Sequence, residues 1–324
     1  MRILITGISG FAARHFLNFL NEKEPGSEVA GIYNENLPSL DLQKLTRLKI
    51  TLFKADLLDK EKLAGIIKNF APEYILHLAG RSSVADSWVH PAASVMDNTN
   101  MFLNIVETVR TMHLKCRILS VGSTEEYGNA NEGLPLKETD CPEPASPYGV
   151  ARVLQQKLVA IYANSYEVDI VHTRSFNHIG PYQKSEYVIA SFAKQIVQQA
   201  YDKKDRIELK TGDVNVIRDF SDVRDVVKAY YILLHKGRKG QTYNVCSGQG
   251  YILKDIIALF AEQLGKPVYH SVDEKNFRPS ENKIIIGSFE KLMNETGWKP
   301  EIDIKESIGD IISYWEVNLS ANTI

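Results

Sequence analysis

Short apolar runs alternate with amphipathic stretches along the first half of the chain. The runs occupy residues 3–5, 29–33, 50–53, 74–78, 118–121 and 170–173. Between the runs, apolar residues recur at helical spacing, for example at Phe16, Leu17 and Leu20 after Gly10. Strands separated by helices of this length are typical of βαβ units. Because the runs are continuous rather than alternating, we predict a parallel α/β sheet covered by helices on both faces.

The second half of the chain is less regular. The pattern predicts helices over 188–200, from about Asp222, and over 254–264, with a strand over 242–246 and a loop over 273–281. The chain has 324 residues, a length that favours about two domains. We predict a doubly wound, Rossmann-type dinucleotide-binding domain over 1–178 plus 210–248. A smaller α/β substrate domain, woven from several segments, is predicted over 179–209 plus 249–324.

A glycine-containing turn, T-G-I-S-G-F-A-A, joins the first predicted strand to the first predicted helix. Gly7 permits a tight turn, and Gly10 lets a pyrophosphate approach the backbone. The N-terminus of the helix then offers unpaired N–H groups and the positive end of its dipole to the phosphates. This strand–turn–helix context predicts a dinucleotide site. The residues expected to bind the cofactor here are Gly7, Ser9, Gly10, Phe11 and Ala12.

The end of the second strand does not distinguish NAD from NADP. An NAD site places an acidic residue there for the ribose 2′-hydroxyl, whereas an NADP site places an arginine nearby. The chain offers Asn34 and Glu35, and Glu35 is either that acid one position late or a solvated loop charge. Asp56 and Leu57, after the third strand, are candidates for capping the adenine, although aspartate is also a common turn residue at strand ends.

Ser123, Tyr148 and Arg152 form a candidate catalytic set. Ser123 follows the fifth strand, at the edge of a parallel sheet where ligands bind. Tyr148 and Arg152 are four positions apart in a predicted helix and therefore share one face. A cation beside a phenol stabilises the phenolate. The set therefore predicts Tyr148 as a general acid or base and Ser123 as a group that holds a substrate oxygen.

Together these motifs resemble the extended short-chain dehydrogenase/reductases, in the branch that modifies nucleotide sugars. The motifs that carry the resemblance lie at 6–13, 56–57, 77–80, 123–128 and 146–148. In that family a lysine lies four positions after the tyrosine. Here Arg152 stands at that position, and it keeps the positive charge but carries it on a planar guanidinium. The resemblance implies NADP or NAD as the cofactor. It implies further cofactor contacts from Asn34, Asp56, Leu57, Leu78, Ala79, Gly80, Asn98, Tyr148 and Arg152.

Three segments of the second half are similar to the members that act on GDP sugars. They lie at 173–181, 218–225 and 278–281. They most resemble the GDP-4-keto-6-deoxy-D-mannose reductases, which form GDP-D-rhamnose. That resemblance implies that Asn177, Arg218 and Arg278 bind the diphosphate or the nucleotide, although Arg218 has the alternative of pairing with Asp219 or Asp222. The full set expected to contact the substrate is Arg81, Ser83, Ser123, Glu125, Asn177, Lys194, Arg218, Arg278 and Glu281.

Glu125 leaves the reaction open. It lies two residues before Tyr127, where the dehydratases of the family keep the glutamate that eliminates water. A reductase does not need this group for hydride transfer, and the residue is also read as a sugar-hydroxyl ligand or a locally paired charge. Three functions follow as hypotheses. They are an NAD(P)H-dependent C4-keto reductase of a GDP sugar, a nucleotide-sugar dehydratase or epimerase, and a nucleotide-sensing protein without turnover.

Composition and charge exclude several other classes of protein. Lys and Arg total 38 against 40 Asp and Glu, so overall charge does not favour nucleic acid as a partner. The three cysteines are far apart and the histidines lack ligand spacing, so we expect a reducing compartment and no metal site. With no membrane-length apolar run and a strand at the first residues, we expect no signal peptide and a cytoplasmic location. The family resemblance implies a homodimer, through the helix that begins at Tyr148 and the helix near Met101.

Overall fold

A seven-stranded parallel sheet forms the centre of the molecule in this computed structural model, which describes residues 1–35, 44–129, 135–273 and 282–321. The strands in chain order are β1 (Arg2–Thr6), β2 (Glu28–Tyr33), β3 (Lys49–Lys54), β4 (Tyr74–His77), β5 (Arg117–Ser123), β6 (Ile170–Ser175), β7 (Asn177–Ile179), β8 (Ile207–Thr211), β9 (Ile217–Asp222), β10 (Thr242–Val245), β11 (Gly250–Ile252), β12 (Val268–Val272) and β13 (Ile284–Ile285). The order in the large sheet is β10-β6-β5-β4-β1-β2-β3. Every apolar run predicted as a strand lies in this sheet, which confirms the predicted α/β class.

Helices cover both faces of the large sheet, as the continuous apolar strands predicted. In chain order they are α1 (Phe11–Lys23), α2 (Lys60–Phe70), α3 (Val84–Val89), α4 (Pro91–Thr111), α5 (Pro147–Ser165), α6 (Val188–Tyr201), α7 (Val223–Lys236), α8 (Leu253–Leu264), α9 (Glu290–Thr296) and α10 (Ile304–Ala321). On one face, α1 and α7 enclose a core that includes Ile3, Phe16 and Tyr230. On the other face, α2, α4 and α5 enclose a core that includes Leu4 and Phe102.

The strand order reverses at β1, which pairs with β2 on one side and β4 on the other. The connections after β1 and β4 leave in opposite directions, so a crevice opens outside the carboxyl ends of these two strands. This switch point is where open parallel sheets bind ligands. The predicted cofactor motif directly follows β1.

Two small sheets and a second apolar core lie beside the large sheet. One contains β11, β9 and β13, with β7 also paired to β9, and the other pairs β12 with β8. Their core includes Phe192 on α6, Phe260 on α8 and Ile308 on α10. Within 210–248, β9 pairs in a small sheet while β10 pairs in the large one. The boundaries of the two domains stay a prediction, and 274–281 lie outside the described residues.

The described part of the chain contains no helix long and apolar enough to cross a membrane. Within the same ranges, no group of three or more His, Cys, Asp or Glu side chains is placed to hold a metal ion.

Candidate active site

The turn between β1 and α1 brings the backbone at Gly7 against the segment that follows β4. Gly7 has a φ of +70°, which favours glycine, and a Cβ built there would lie 2.9 Å from the Ala79 nitrogen. The Gly7 N–H donates to the Ile32 carbonyl at 3.0 Å, and the Gly10 N–H donates to the Gly7 carbonyl at 2.9 Å. A side chain at position 7 would therefore separate the two strand ends that form the crevice.

The N-terminus of α1 presents backbone N–H groups that no side chain caps. Gly10 is the N-cap residue, and no side chain caps the helix. The first turn carries no acidic residue, and both Ser9 and Gly10 are exposed. The unpaired N–H groups of a helix N-terminus bind phosphate and carry the positive end of the helix dipole. This glycine cradle therefore fits a dinucleotide pyrophosphate, with Phe11 and Ala12 opening the helix.

The segment after β4 is held by side chains from β1 and α4. The Thr6 hydroxyl accepts from the Ala79 N–H at 3.2 Å and lies 2.9 Å from Nδ1 of His77. His77 is buried, and burial together with the positive charge of Arg152 lowers its pKa to about 3. It is therefore a neutral core histidine rather than an acid or base for catalysis.

Asn98 fixes the next part of the same segment. It is buried on α4, where its Oδ1 accepts from the Arg81 N–H at 2.9 Å and its Nδ2 donates to the Ser94 carbonyl at 2.8 Å. The Arg81 guanidinium forms an ion pair with Asp97 at 2.8 Å. A Cβ on Gly80 would lie 2.7 Å from Asn98 Oδ1 and 2.6 Å from Arg152 Nη2. The predicted cofactor residues and the predicted catalytic arginine are thus contiguous.

The predicted catalytic residues lie on two segments that contact each other. Ser123 ends β5, and its hydroxyl accepts from the Glu125 N–H at 3.2 Å, which leaves its own proton free to donate. Tyr148 and Arg152 are buried on α5, with the guanidinium carbon 5.0 Å from the centre of the tyrosine ring. A Cβ on Gly149 would lie 2.5 Å from the Glu125 carbonyl oxygen, so α5 begins directly against the turn after β5.

Two residues of this region were missed by sequence reasoning. Glu126 is fully buried, and its Oε1 accepts from the Ser123 N–H at 2.9 Å as part of a capping box. The Ser-x-x-Glu spacing from Ser123 is the sequence feature that indicates this box. Tyr187, before α6, hydrogen-bonds to the Ser82 hydroxyl at 2.7 Å. Burial raises the pKa of Tyr187, and the neighbouring Tyr148 acts in the same direction.

A cleft beside the turn after β5 contains two of the predicted substrate residues. Glu125 and Arg218 both line it, together with Ser146 and Asn282. Oε2 of Glu125 accepts from the Ser146 hydroxyl at 3.2 Å. Nη1 of Arg218 donates to the Ile217 carbonyl at 2.9 Å. The structure therefore brings a carboxylate and a guanidinium, predicted separately along the chain, to one cleft.

The two acidic residues near Arg218 have partners of their own. The Asp219 carboxylate accepts from the N–H and hydroxyl of Ser247 at 2.8 and 2.7 Å. Asp222 pairs with Arg224 at 2.8 Å. Both carboxylates thus stabilise turns and helix contacts in the second half of the chain.

The remaining predicted residues are more scattered. Asn177 is exposed, and its Nδ2 donates to the Asp219 carbonyl at 3.5 Å, whereas the Lys194 ammonium lies 6.0 Å from the Trp315 ring. Ser83 caps α3. On the cofactor side, Asn34 is exposed at the end of β2, Leu57 is buried, and Asp56 accepts from the Leu58 N–H at 2.9 Å in a local turn. Arg278 and Glu281 lie outside the described residues.

The sequence profile of the GDP-mannose 4,6 dehydratase family matches residues 4–311. The chain belongs to this family. Its relatives include the GDP-6-deoxy-D-mannose reductase of Pseudomonas aeruginosa strain PAO1, which is 32% identical over 97% of both chains.

Solved structures of similar proteins share the fold over nearly the full length. RMD from Pseudomonas aeruginosa in complex with NADPH superposes with a TM-score of 0.85 at 32% identity, covering 98% of this chain and 99% of that chain. UDP-glucose 4-epimerase from Thermotoga maritima with UDP-glucose has a TM-score of 0.85 at 26% identity, covering 98% and 100%. The chain is therefore similar to enzymes named for different reactions, and the residues of the site must distinguish them.

Proposed function

We propose that the chain is an NAD(P)H-dependent reductase that converts GDP-4-keto-6-deoxy-D-mannose to GDP-D-rhamnose. The observation that carries the proposal is the position of the Ser123, Tyr148 and Arg152 set, beside the glycine cradle at the switch point of the sheet. The full-length similarity to a GDP-6-deoxy-D-mannose reductase supports this choice among the reactions of the family.

The residues of the site supply the proton side of the reduction. When bound, the reduced nicotinamide coenzyme supplies the hydride that the C4 carbonyl carbon of the sugar receives. Ser123 donates a hydrogen bond to the carbonyl oxygen, and Tyr148 transfers its phenolic proton to that oxygen, giving the C4 alcohol. Arg152 lies beside the phenol and stabilises the phenolate that remains. One hydride and one proton thus enter the product.

The glycine cradle and Arg152 would hold the coenzyme. The pyrophosphate fits the N-terminus of α1 at Ser9, Gly10, Phe11 and Ala12, against Gly7. The nicotinamide ribose fits Arg152, whose Nε is buried without a hydrogen-bond partner among the described residues. An unpaired buried donor costs free energy unless a ligand satisfies it. Further contacts are proposed from Asn34, Asp56, Leu57, Leu78, Ala79, Gly80, Asn98 and Tyr148.

The nucleotide sugar would lie across the mouth of the cleft that contains Glu125 and Arg218, because the cleft itself has a volume of only about 30 Å³. A guanidinium binds diphosphate oxygens with two parallel hydrogen bonds, which makes Arg218 the main anion ligand on this side. Substrate contacts are also proposed from Arg81, Ser83, Ser123, Asn177, Lys194, Arg278 and Glu281.

A 4,6-dehydratase is the second candidate because Glu125 is half-buried in the same cleft as Arg218. A dehydratase needs this carboxylate to eliminate water, and it consumes GDP-mannose with no net use of coenzyme. Glu125→Gln should leave a reductase within about threefold of its original turnover, because the amide oxygen can still accept from the Ser146 hydroxyl and the proposed reduction uses no carboxylate at this position. Loss of all turnover in this variant would favour the dehydratase.

The experiment that tests the proposal follows the absorbance of NADH and NADPH separately, with purified protein. The keto sugar is generated in the same cuvette from GDP-mannose by a separately purified GDP-mannose 4,6-dehydratase. Oxidation that depends on the keto sugar is expected. Disappearance of GDP-mannose without the upstream enzyme would assign a dehydratase, and no reaction with intact coenzyme binding would assign a nucleotide-sensing protein.

A homodimer and a cytoplasmic location are also part of the proposal. Val150, Leu154 and Ile161 lie on one face of α5 and are 39% to 50% exposed, and Met96 on α4 is 58% exposed. Such an apolar face is typical of a subunit contact. Light scattering should give twice the mass of one chain, and Ile161→Lys should give the monomer.

A further inference from the structure

A chain of hydrogen bonds between buried side chains runs behind the candidate site. Nη1 of Arg152 donates to Oε1 of Gln155 at 2.6 Å, and Nε2 of Gln155 donates to Oγ of Ser120 at 2.7 Å. The same Ser120 oxygen lies 3.0 Å from Nδ1 of His172. Nε2 of His172 lies 3.2 Å from Oε1 of Glu126. All five side chains are at most 4% exposed, so the bonds between them are shielded from bulk solvent.

One arrangement of protons satisfies every bond in this chain. A guanidinium only donates, so Gln155 presents its carbonyl oxygen to Arg152 and its amide nitrogen to Ser120. An ionised carboxylate only accepts, so His172 donates to Glu126 from Nε2. In the tautomer with its proton on Nε2, His172 accepts at Nδ1 from the Ser120 hydroxyl. Each donor therefore points from the buried cation toward the buried anion.

The hydrogen bond between Arg152 and Gln155 fixes the orientation of the Arg152 guanidinium. Its Nη1 is taken by Gln155 and by the Val121 carbonyl at 3.4 Å. Its Nη2 lies against Gly80, and its Nε has no partner in the described protein. A lysine ammonium needs no such support, because its three donors rotate about one atom, whereas the planar fork of arginine must be oriented.

The last link fixes the opposite end of the catalytic set. Glu126 accepts from the Ser123 N–H at 2.9 Å and from Nε of Arg174 at 3.3 Å. A Cβ on Gly122 would lie 2.2 Å from Oε1 of Glu126 and 2.5 Å from Nε2 of His172. The chain therefore joins the guanidinium on α5 to the backbone of the predicted catalytic serine on β5.

We propose that Gln155 is a positioning residue that orients Arg152 for the coenzyme, with Ser120, His172 and Glu126 holding Gln155 in turn. The proposal rests on the proposed role of Arg152 in binding the coenzyme. It adds to that function the means by which a planar guanidinium is held in one orientation at this position.

The test is a double-mutant cycle read as the Kd of reduced coenzyme, measured by its fluorescence, alongside turnover. Gln155→Leu should raise the Kd at least about tenfold, because it removes a hydrogen bond to a charged group. Gln155→Glu keeps the acceptor for Arg152 but loses the donor to Ser120, so it should raise the Kd about two- to fivefold, less than Gln155→Leu. In an Arg152→Ala background, Gln155→Leu should change the Kd less than about twofold, because the two residues act as one unit.

Gln263→Leu is the control, since Gln263 is exposed on α8 and bonds to the Lys305 carbonyl. It should leave the Kd unchanged. Equal effects of Gln155→Leu in both backgrounds would overturn the proposal, because they would show a general structural role. A starting protein that binds neither NADH nor NADPH would overturn the proposed function as well.

Ser120→Ala covers the case in which Gln155→Leu does not fold. It removes the support of the Gln155 amide but leaves the acceptor for Arg152. The expected result is a Kd raised about two- to fivefold, the range of one neutral hydrogen bond. An unchanged Kd in this variant would contradict the proposal.

Discussion

The two sides of the candidate site are built in different ways. On the coenzyme side, the backbone lies so close to its neighbours that a Cβ on Gly7 would be 2.9 Å from the Ala79 nitrogen and a Cβ on Gly80 would be 2.6 Å from Nη2 of Arg152. On the substrate side, single side chains such as Glu125 and Arg218 reach into a cleft from a turn and from a short strand. The geometry of the coenzyme side depends on the absence of side-chain atoms at its glycines. The chemistry of the substrate side depends on which functional group each side chain carries.

This difference predicts how each side responds to substitution. Added atoms on the coenzyme side push strand ends apart, so their effect includes both binding and stability. A removed group on the substrate side costs one contact and leaves the fold intact. Tyr148 lies where the two sides meet, and changes there should affect the chemical step rather than either binding step.

Tyr148→Phe should produce the largest effect. Removal of the phenolic proton should lower kcat by at least about 100-fold if Tyr148 is the proton donor. The Kd of the coenzyme and the KM of the sugar should change little. Tyr166→Phe is the control, because Tyr166 is 52% exposed at the end of the same helix. Near-normal turnover in Tyr148→Phe, measured by coenzyme absorbance, would remove its assigned role.

Gly7→Ala should weaken coenzyme binding at least about tenfold, through a positive φ and a clash with the Ala79 backbone. Gly26→Ala is a matched control, because Gly26 has a φ of +87° with no atom within 4 Å of a built Cβ. It should cost about 1 kcal/mol of stability and leave coenzyme binding unchanged. Coenzyme titration and thermal unfolding of both variants check this. If Gly7→Ala and Gly26→Ala bound the coenzyme with equal affinity, the close approach at Gly7 would not matter for binding, and the proposed difference between the two sides would be contradicted.

Arg218→Leu should raise the KM for the GDP sugar about tenfold, the value of a charge-assisted hydrogen bond. The Kd of the coenzyme should not change, because Arg218 lies on the substrate side. Arg206→Leu serves as the control, since Arg206 does not line the cleft. Its guanidinium carbon lies 4.3 Å from the centre of the Tyr269 ring. An unaltered KM in Arg218→Leu would leave the diphosphate without its main proposed ligand.

Tyr187→Phe should have the smallest effect. It removes the hydrogen bond to Ser82, which joins the start of α6 to the segment after β4. A loss of about two- to fivefold in kcat/KM for the sugar is expected for one neutral hydrogen bond. Steady-state kinetics beside Tyr269→Phe, an exposed tyrosine that is 50% accessible, would show the change. A larger loss in the control would refute the assignment.

The sequence predicted the coenzyme side in more detail than the substrate side, for a physical reason. The strands of the large sheet are continuous apolar runs, and the turn at Gly7 and Gly10 lies between a strand and a helix that are adjacent in the chain. Each of these features is local. The small sheets use strands of two to six residues, and β9 pairs with β7, β11 and β13, which come from distant parts of the sequence. No local pattern determines such pairings.

The polar chain behind the site shows the same limit. Ser120, Gln155 and His172 come from β5, α5 and β6, and none belongs to a motif with Tyr148. Only the packing of these three elements brings their side chains within hydrogen-bond distance. Two local features indicate parts of this chain: the Ser-x-x-Glu spacing of Ser123 and Glu126, and the three-residue spacing of Arg152 and Gln155 on α5.

The most direct test of the proposed reaction uses coenzyme deuterated at the transferable position of nicotinamide C4. The protein is incubated with this coenzyme and GDP-4-keto-6-deoxy-D-mannose, and the product is analysed by mass spectrometry and proton NMR. The account predicts one deuterium at sugar C4 and a product with the configuration of GDP-D-rhamnose. A product without deuterium, formed while the coenzyme stays reduced, would contradict the assignment of a reductase.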